Sequence, residues 1–340
     1  MNHPTAPPLP RTLLAMSAQI HGMLRTDPAF DRLTEVATVD PDLLVTDFDS
    51  AEAAVLAGTE VLFTHWGAPR LTEDALRRMP GLRAVVHAAG SVKAHVTDAV
   101  WQRGITVSSA AAANALPVAE FTLAAILFAN KRVLDVAHTY RTERAPIDLL
   151  TFYGGYGNHR RTVGVVGASR VGRRVIELLR PFDLDVLVHD PFLAPKDAEA
   201  LGAEPAGLDD LARRSHVVSV HAPELPETRH MFDDRRLALM RDGATLVNTA
   251  RGSLVDTGAL TRELVSGRLH AVLDVTDPDV LPPDSPLHDL PNVLLTPHIA
   301  GSLGNELGRM TAWAIDEVDR YARGLPFAHP VGPDELSRLA

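Results

Sequence analysis

Residues 162–172, TVGVVGASRVG, decide the fold class of this chain. The first half of the segment, residues 162–166, is a short apolar run rich in β-branched residues, which is typical of a buried strand. Gly167 ends the run, and apolar residues then recur at helical spacing through Arg170–Leu179. The pattern predicts a strand that turns through glycine into a helix, and the first backbone N–H groups of such a helix can bind a phosphate.

The glycine pattern of this turn is an incomplete form of G-x-G-x-x-G. Gly167 and Gly172 occupy the first and third glycine positions, whereas Ser169 stands at the second. Glycine turns of this kind also occur as plain structure without a ligand. The Cβ of Ser169 could crowd a pyrophosphate, or its hydroxyl could donate to one, and the sequence leaves both alternatives open.

An acidic residue at the right distance strengthens the nucleotide hypothesis. A second predicted strand, residues 184–188, leads to Asp190, which lies 18 residues after Gly172. A carboxylate at this place can accept bonds from both hydroxyls of the adenosine ribose, and its charge repels the 2′-phosphate of NADP. The alternative is an aspartate that forms a turn before Pro191. Together these features predict a βαβ unit that binds a nucleotide.

The composition is that of a globular protein of about two domains, with 340 residues, 46% of them apolar and 22% charged. A net charge of −10 disfavours nonspecific binding to nucleic acid and to anionic membranes. The absence of cysteine excludes disulfides and thiolate chemistry. The first ten residues lack signal-peptide regions, and no uninterrupted apolar run approaches the about 18 residues that span a bilayer. We therefore expect a cytoplasmic enzyme that acts on a small molecule, with no nucleic-acid partner, membrane partner or metal site.

Strand-like and helix-like segments alternate along the chain, which predicts an α/β fold with parallel sheets. Further strands are predicted at residues 13–16, 60–65, 82–87, 105–107, 216–220, 244–248, 270–273 and 293–295. Two long helical stretches, residues 116–140 and 303–323, bracket the second series of strands. We therefore expect one domain inserted into another. The inserted NAD domain covers residues 116–304, and the discontinuous domain covers residues 1–115 and 305–340.

Three polar loops each follow a predicted strand in the second half of the chain. They are NTARG at residues 248–252, LDVTDPD at residues 273–279 and TPHIAG at residues 296–301. In an open parallel sheet, ligands bind outside the carboxyl ends of the strands. We therefore expect the three loops to converge on one crevice.

The charges in these loops suit proton and hydride chemistry on a 2-keto or 2-hydroxy acid. Arg251 can hold a carboxylate with two parallel bonds and polarise the neighbouring carbonyl. Histidine is the side chain suited to proton transfer at neutral pH, so His298 can donate or accept the proton, and a neighbouring carboxylate would orient its ring. Taken singly, Arg251 could be a surface arginine, His298 a structural histidine, and the aspartates loop caps.

The chain resembles the D-isomer-specific 2-hydroxyacid dehydrogenases over nearly its whole length. The motifs that carry the resemblance are VAEFTLAAIL at 118–127, GVVGASRVG at 164–172, HDP at 189–191, SVHAPELPETRHM at 219–231, NTARGSLVD at 248–256, LDVTDPD at 273–279 and SPLHDLPNVLLTPHIAG at 285–301. The resemblance implies two Rossmann-like domains, with the substrate-binding domain built from both chain ends and a cleft beside the NAD domain. It also implies a homodimer.

The resemblance assigns roles to individual residues. It makes Arg251 the substrate-binding arginine and His298 the acid/base, with Asp279 at the position of the family's glutamate partner. It implies a backbone loop, Gly90–Ser91–Val92, that binds the substrate carboxylate. Contacts with NAD are implied for Gly167, Arg170, Val171, Asp190, His221, Pro223, Thr249 and Ala250, and for Asp274 on the nicotinamide carboxamide.

The sequence departs from the family pattern at three of these positions. Asp279 is one methylene shorter than glutamate, so either it approaches His298 more closely or Asp277 takes its place. Ser169 replaces a glycine. Val92 stands where many relatives have glycine, and we expect it to narrow the substrate pocket.

The leading hypothesis is an NAD-dependent reductase of a small 2-keto acid. The alternative, from another class, is an NAD(H)-sensing scaffold or corepressor of the same fold with little turnover, suggested by Asp279 and Ser169. Oxidation of formate or phosphite is a weaker hypothesis, since formate enzymes have glutamine beside the histidine. The sequence does not identify the acid, and His65, Trp66 and Lys93 are only suspected of facing the cleft.

Overall fold

A computed structural model describes residues 8–152 and 155–336. The first part of the chain contains strands β1 (Thr12–Ala15), β2 (Leu44–Val45), β3 (Val61–Thr64), β4 (Ala84–His87) and β5 (Thr106–Ser109), and helices α1 (Ala18–Leu24), α2 (Pro28–Asp31), α3 (Leu33–Val36), α4 (Ala53–Ala57), α5 (Glu73–Arg78) and α6 (Asp98–Gln102). The middle part contains helices α7 (Ala111–Asn130), α8 (Val133–Glu143), α9 (Leu149–Phe152), α10 (Arg170–Leu179), α11 (Pro195–Leu201), α12 (Leu208–Arg214), α13 (Asp234–Leu239) and α14 (Thr257–Val265). Its strands are β6 (Arg161–Val166), β7 (Leu184–His189), β8 (Glu204–Pro205), β9 (Val217–Val220), β10 (Thr245–Asn248), β11 (His270–Leu273) and β12 (Val293–Leu295). The last part contains α15 (Leu307–Ala322), β13 (Pro330–Val331) and α16 (Pro333–Leu336).

The chain divides into two compact units, residues 1–114 with 302–339 and residues 115–301. The sheet of the first unit has the strand order β13-β5-β4-β3-β1-β2. Its strands are parallel except for β13, which is antiparallel to β5. Leu13 and Ala15 of β1 join one apolar cluster, whereas Leu14 joins another that includes Ile315 and Val318 of α15. Alternate strand residues therefore fill two cores, one on each face of the sheet.

The second unit is built on seven parallel strands in the order β12-β11-β10-β9-β6-β7-β8. Strand β6 lies near the middle and pairs with β7 on one side and β9 on the other. The order of the strands reverses at this place, and such a switch point is where open α/β sheets bind ligands. The predicted α/β class with parallel sheets is confirmed, and the glycine turn follows the strand at the switch point.

The prediction of one continuous helix over residues 116–140 was wrong. Helix α7 ends at Asn130 and α8 begins at Val133. Between them Arg132 has a φ of +52°, a left-handed conformation that a helix cannot continue through. The predicted helix at 303–323 begins instead with a 3₁₀ turn, Gly304–Glu306, followed by α15.

Within residues 8–152 and 155–336, α7 is the one helix long and apolar enough, by length and composition, to cross a membrane. Of that apolar window, 44% is buried inside the protein, and a single helix of this kind is weak evidence for a membrane span.

Candidate active site

The glycine turn after β6 requires glycine for two separate reasons. Gly167 has a φ of +95°, and a Cβ built there would lie 2.7 Å from the backbone N of Ala222. A Cβ at Gly172 would lie 1.9 Å from the carbonyl oxygen of Gly167. The first turn of α10 therefore packs directly against the glycine turn, and neither position accepts a side chain.

Ser169 is the N-cap of α10. Its Oγ accepts a hydrogen bond from the backbone N–H of Gly172 at 3.3 Å. Within the described residues, the backbone N–H groups of Arg170 and Val171 donate no hydrogen bond. These two groups stay available to an anion at the positive end of the helix.

Asp190 links the end of β7 to the glycine turn. Its Oδ2 accepts a hydrogen bond from the backbone N–H of Ala168 at 2.7 Å, and its Oδ1 accepts one from Phe192 at 2.8 Å. The bond to Phe192 forms a local turn, and a turn was the alternative function that the sequence allowed for Asp190. Each oxygen keeps a lone pair, so the carboxylate can also accept bonds from ribose hydroxyls.

His221 follows β9 and is buried beside the glycine turn, its backbone carbonyl carbon 2.7 Å from where a Cβ of Gly167 would lie. Its Nε2 lies 2.8 Å from Ser219 Oγ, whereas its Nδ1 has no hydrogen-bond partner within the described residues. Burial lowers the pKa of His221 to about 3, which keeps the ring neutral. An unpartnered buried nitrogen next to a glycine turn fits a bound dinucleotide. Pro223, two residues on, is half-buried, and its carbonyl accepts a bond from Thr228 Oγ1 at 2.7 Å.

The loop after β10 is shaped by the side chain of Asn248. Its Oδ1 accepts from Ala250 N–H at 3.1 Å, and its Nδ2 donates to the carbonyl of Arg251 at 2.8 Å. The half-buried Arg251 side chain donates to the carbonyl of Ala250 at 2.6 Å through Nη1. Ala250 is buried, as is Thr249, whose Oγ1 lies 3.0 Å from Thr122 Oγ1.

Gly252 brings the Arg251 loop against the loop that follows β11. A Cβ at Gly252 would lie 2.0 Å from the carbonyl carbon of Thr276, so only glycine allows this approach. Ser253 Oγ donates to Glu224 Oε1 at 2.5 Å, which ties the Arg251 loop to the loop after β9. The loops after β9, β10 and β11 are therefore joined at one end of the sheet.

The loop that carries His298 is held by the buried carboxylate of Asp274. Asp274 Oδ1 accepts from Thr296 Oγ1 at 2.6 Å and from Ile299 N–H at 2.8 Å, and Oδ2 accepts from Ala300 N–H at 2.8 Å. The backbone carbonyl of Asp274 also accepts from His298 N–H at 2.9 Å. Sequence reasoning assigned Asp274 to the cofactor, with a loop cap as the alternative. It did not identify these partners, because the bonds join residues more than twenty positions apart.

The structure does not join His298 to either of its predicted carboxylate partners. The His298 side chain is exposed, and within residues 8–152 and 155–336 it has no ion pair or hydrogen bond with Asp277 or Asp279. Asp277 lies 3.2 Å from Arg229 Nη2, and Asp279 is exposed. The choice between the two aspartates stays a prediction.

The predicted anion-binding loop, Gly90–Ser91–Val92, belongs to the first unit. Within the described chain, none of its backbone N–H groups donates a hydrogen bond. The side chain of Val92 is fully buried in the core with Val96 and Val100. The expectation that Val92 narrows a pocket was therefore wrong, because its side chain points into the core.

Three buried histidines lie next to this loop, and sequence reasoning did not group them. Thr64 Oγ1 lies 2.9 Å from His87 Nδ1 and 3.3 Å from His95 Nε2. His65 Nδ1 accepts from the N–H of Trp66 at 2.7 Å. Burial lowers the pKa of His65 and of His95 to about 4, and it lowers that of His87 well below its usual range. All three are neutral at pH 7, so His65, suspected of facing substrate, is a buried neutral group.

Comparison with known proteins gives the family. Residues 123–300 match the model of the D-isomer specific 2-hydroxyacid dehydrogenase, NAD binding domain. A glyoxylate reductase of Aeropyrum pernix is 34% identical over 264 residues, which cover 75% of this chain and 78% of the relative. A D-3-phosphoglycerate dehydrogenase of Mycobacterium tuberculosis is 32% identical over 301 residues, 86% of this chain and 51% of the relative. The chain therefore belongs to the D-isomer specific 2-hydroxyacid dehydrogenase family.

A solved structure agrees with this family. A D-lactate dehydrogenase from Aquifex aeolicus, complexed with NAD and lactic acid, is 27% identical with a TM-score of 0.70 and covers 92% of this chain and 96% of that one. NAD is the cofactor, and the family's reaction is NAD-linked hydride transfer between 2-hydroxy acids and 2-keto acids. The chain spans about half the length of the D-3-phosphoglycerate dehydrogenases that it matches. In the described part of the chain, no group of three or more histidines and acids is arranged to hold a metal ion.

Proposed function

We propose that this chain reduces a small 2-keto acid to the D-2-hydroxy acid, with His298 as the acid/base and Arg251 binding the substrate. The proposal rests on the hydrogen bonds that the carboxylate of Asp274 accepts from the loop that carries His298. This loop lies next to the loops after β10 and β11, which contact each other at Gly252. Arg251 follows β10 and His298 follows β12, two parallel strands separated by β11. Both residues therefore stand at the carboxyl ends of strands of one sheet, where such folds bind ligands.

Arg251 and His298 have different functions in the proposed reaction because one is a permanent cation and the other can transfer a proton. Arg251 binds the carboxylate of the keto acid with its planar fork and draws electron density from the carbonyl. NADH, when bound, supplies the hydride for the keto carbon. His298 donates a proton to the carbonyl oxygen, and in the oxidative direction it takes the proton from the hydroxyl. Asp279 stays the predicted carboxylate partner of His298, and Gly90–Ser91–Val92 the predicted anion-binding loop of the first unit.

The contacts with NAD are proposed for the residues around the glycine turn. The available N–H groups of Arg170 and Val171 suit the pyrophosphate, and Asp190 suits the adenosine ribose. His221, Pro223, Thr249 and Ala250 line the neighbouring loops. A carboxylate at Asp190 disfavours NADP, which supports a preference for NAD.

The experiment is NADH consumption with a panel of keto acids that includes glyoxylate, hydroxypyruvate, pyruvate and phenylpyruvate. Turnover of at least one acid is expected, and His298→Ala is expected to lower kcat by about 10²-fold or more. The pH–rate profile of the variant should lose the limb that reports His298. An unchanged profile would remove His298 from the proposed role.

The alternative, an NAD(H)-sensing scaffold with little turnover, has one supporting observation. His298 has no ion pair with Asp277 or Asp279 in the described residues, so the orienting carboxylate of an acid/base histidine is not engaged. Measurable NADH binding without turnover of any keto acid would favour this alternative over the reductase.

We also propose a homodimer. An apolar groove of about 190 Å³ lies in the second unit between α7, α8 and the starts of β10 and β11. It is bordered by Phe128, whose side chain is 56% exposed and suits burial against a second copy. Sedimentation of the wild type and of Phe128→Arg tests the dimer, which the variant should weaken. A cytoplasmic location stays a prediction.

A further inference from the structure

A second cluster of charged residues lies at the opposite end of the strands from the candidate active site. Arg161 begins β6, His216 directly precedes β9, and Arg241 lies shortly before β10. These amino-terminal ends surround a polar cavity of about 90 Å³, which is also lined by Arg132 and Tyr156. A cavity of this size is large enough for a small oxyanion.

Arg132 is the buried member of this cluster. Only 7% of its side chain is exposed, and its Nη1 has no hydrogen-bond partner within the described residues. That nitrogen lies 3.5 Å from Asp135 Oδ2, a carboxylate that is also 3.3 Å from His270 Nδ1. A Cβ at Gly243 would lie 2.9 Å from Arg132 Nη2, so the missing side chain makes room for the guanidinium. Asp135 offsets the charge of Arg132, but Nη1 of this buried guanidinium is left without a hydrogen bond.

Tyr156 and His216 contact the arginines of this cluster or the strand beside them. Tyr156 presents its ring to two guanidinium groups, with Arg132 at 5.0 Å and Arg161 at 5.7 Å from the ring centroid. His216 Nδ1 accepts from the N–H of Thr162 at 3.1 Å, so the neutral ring carries its proton on Nε2 and can donate it. Burial, together with Arg161 and Arg241, lowers the pKa of His216 to about 4.

Protein carboxylates balance only part of the positive charge of this cluster, since Asp135 pairs with Arg132 at 3.5 Å. Within residues 8–152 and 155–336, neither Arg161 nor Arg241 forms an ion pair with a carboxylate. Asp242 lines the cavity, but its side chain is 89% exposed and lies 3.4 Å from Arg268 Nη1. Burial, and to a smaller extent the neighbouring charges of Arg241 and Arg132, lowers the pKa of Arg161. The charges of Arg161 and Arg241 are therefore left for an anion from outside the chain to offset.

The geometry points to a binding site for a phosphate-type dianion between Arg132, Arg161, Arg241 and His216, separate from the phosphate-binding turn of the cofactor. The three guanidinium groups and the imidazole offer only donors, which matches an oxyanion whose oxygens only accept. A dianion cancels the charges of Arg161 and Arg241, and Asp135 already offsets that of Arg132. Inorganic phosphate and phosphate monoesters share this chemistry. The site lies in one unit and does not depend on the proposed substrate.

Calorimetric titration with inorganic phosphate tests the site, with NADH kept at saturation so that the cofactor fills its own phosphate turn. Sodium chloride at matched ionic strength serves as the reference. We expect one phosphate per chain, bound at millimolar concentration or tighter. Arg241→Gln and Arg161→Gln should each weaken binding by about tenfold or more, since each removes a charge-assisted bond.

Arg213→Gln is the control, because it removes the same charge from an exposed position on α12 outside the cavity. It should leave the phosphate affinity unchanged. Arg241 is exposed, so its variant is expected to fold even if Arg161→Gln does not. Absence of phosphate binding to the NADH-saturated protein would overturn the proposal. Binding that neither arginine variant weakens would also overturn it, since the phosphate would then occupy another cationic place such as Arg251.

Discussion

The carboxylate of Asp274 accepts a hydrogen bond from the backbone N–H of Ile299, the residue after His298, at 2.8 Å. The same carboxylate accepts from Thr296 Oγ1 and from Ala300 N–H, so it contacts the loop on both sides of His298. His298 has a φ of +57°, a conformation that costs about 1–3 kcal/mol and persists only where its surroundings impose it. The hydrogen bonds to Asp274 impose this backbone conformation. The direction of the His298 side chain therefore depends on Asp274, which follows the neighbouring strand β11.

We expect Thr296→Val to destabilise the protein by about 1.5–3 kcal/mol, because it removes a hydrogen bond to a buried carboxylate. The kcat should also fall, since the loop that carries His298 is loosened. Urea unfolding and steady-state kinetics measure the two effects. Thr261→Val is the matched control, because its hydroxyl donates only to a neutral backbone carbonyl in α14. Equal losses of kcat in both variants would contradict the assigned function of Thr296.

Asp190→Ala should lower the preference for NAD over NADP by about tenfold or more, because the charge that repels the 2′-phosphate is lost. It should also cost about 1–2 kcal/mol of stability, since the N–H groups of Ala168 and Phe192 lose their acceptor. The kcat/KM ratio for the two cofactors and urea unfolding give the measurements. Asp185→Ala, which removes an exposed carboxylate on the same strand, should change neither. An unaltered cofactor ratio would show that Asp190 does not contact the ribose.

Ser169→Ala should destabilise the protein by about 1 kcal/mol, because the N-cap bond to Gly172 N–H is lost. Ser169→Gly should cost only a few tenths of a kcal/mol, as glycine caps tolerably well. Chemical denaturation of the two variants side by side provides the comparison. If alanine were as stable as serine, the serine would not act as a cap.

The buried histidines make the first unit sensitive to acid. Burial lowers the pKa of His65 to about 4, so between pH 6.5 and 4 the unfolded chain binds a proton that the folded chain does not. Stability is therefore full above pH 6.5 and falls as the pH decreases, with a loss of about 3 kcal/mol from His65 once the pH is below 4.

His65→Asn should flatten the pH dependence of urea unfolding in this window, because asparagine does not titrate. His138→Asn is the control, since His138 is exposed on α8. If the stability of His65→Asn changed with pH as steeply as that of the wild type, burial would not be what keeps His65 neutral.

Periodicity predicted most of the regular elements. The strand at residues 270–273 and the helix Arg170–Leu179 have the predicted ends, since a buried strand and an amphipathic helix each leave a direct mark on the order of apolar residues. The two-residue strands β2, β8 and β13 were missed, because two residues carry no period. The break at Arg132 was also missed, because a left-handed arginine has no sequence signal comparable to glycine.

What the sequence determined by itself is local chemistry: a glycine turn, an aspartate at the ribose distance, and an arginine and a histidine after strands. What only the tertiary structure decided is which of these groups contact one another. Asp274 holds the His298 loop, Ser169 caps its own helix, Val92 enters the core, and Arg132 comes to lie with Arg161. The physical reason is that propensity and periodicity act between near neighbours in the chain, whereas hydrogen bonds and charge clusters across a sheet depend on strand order and register.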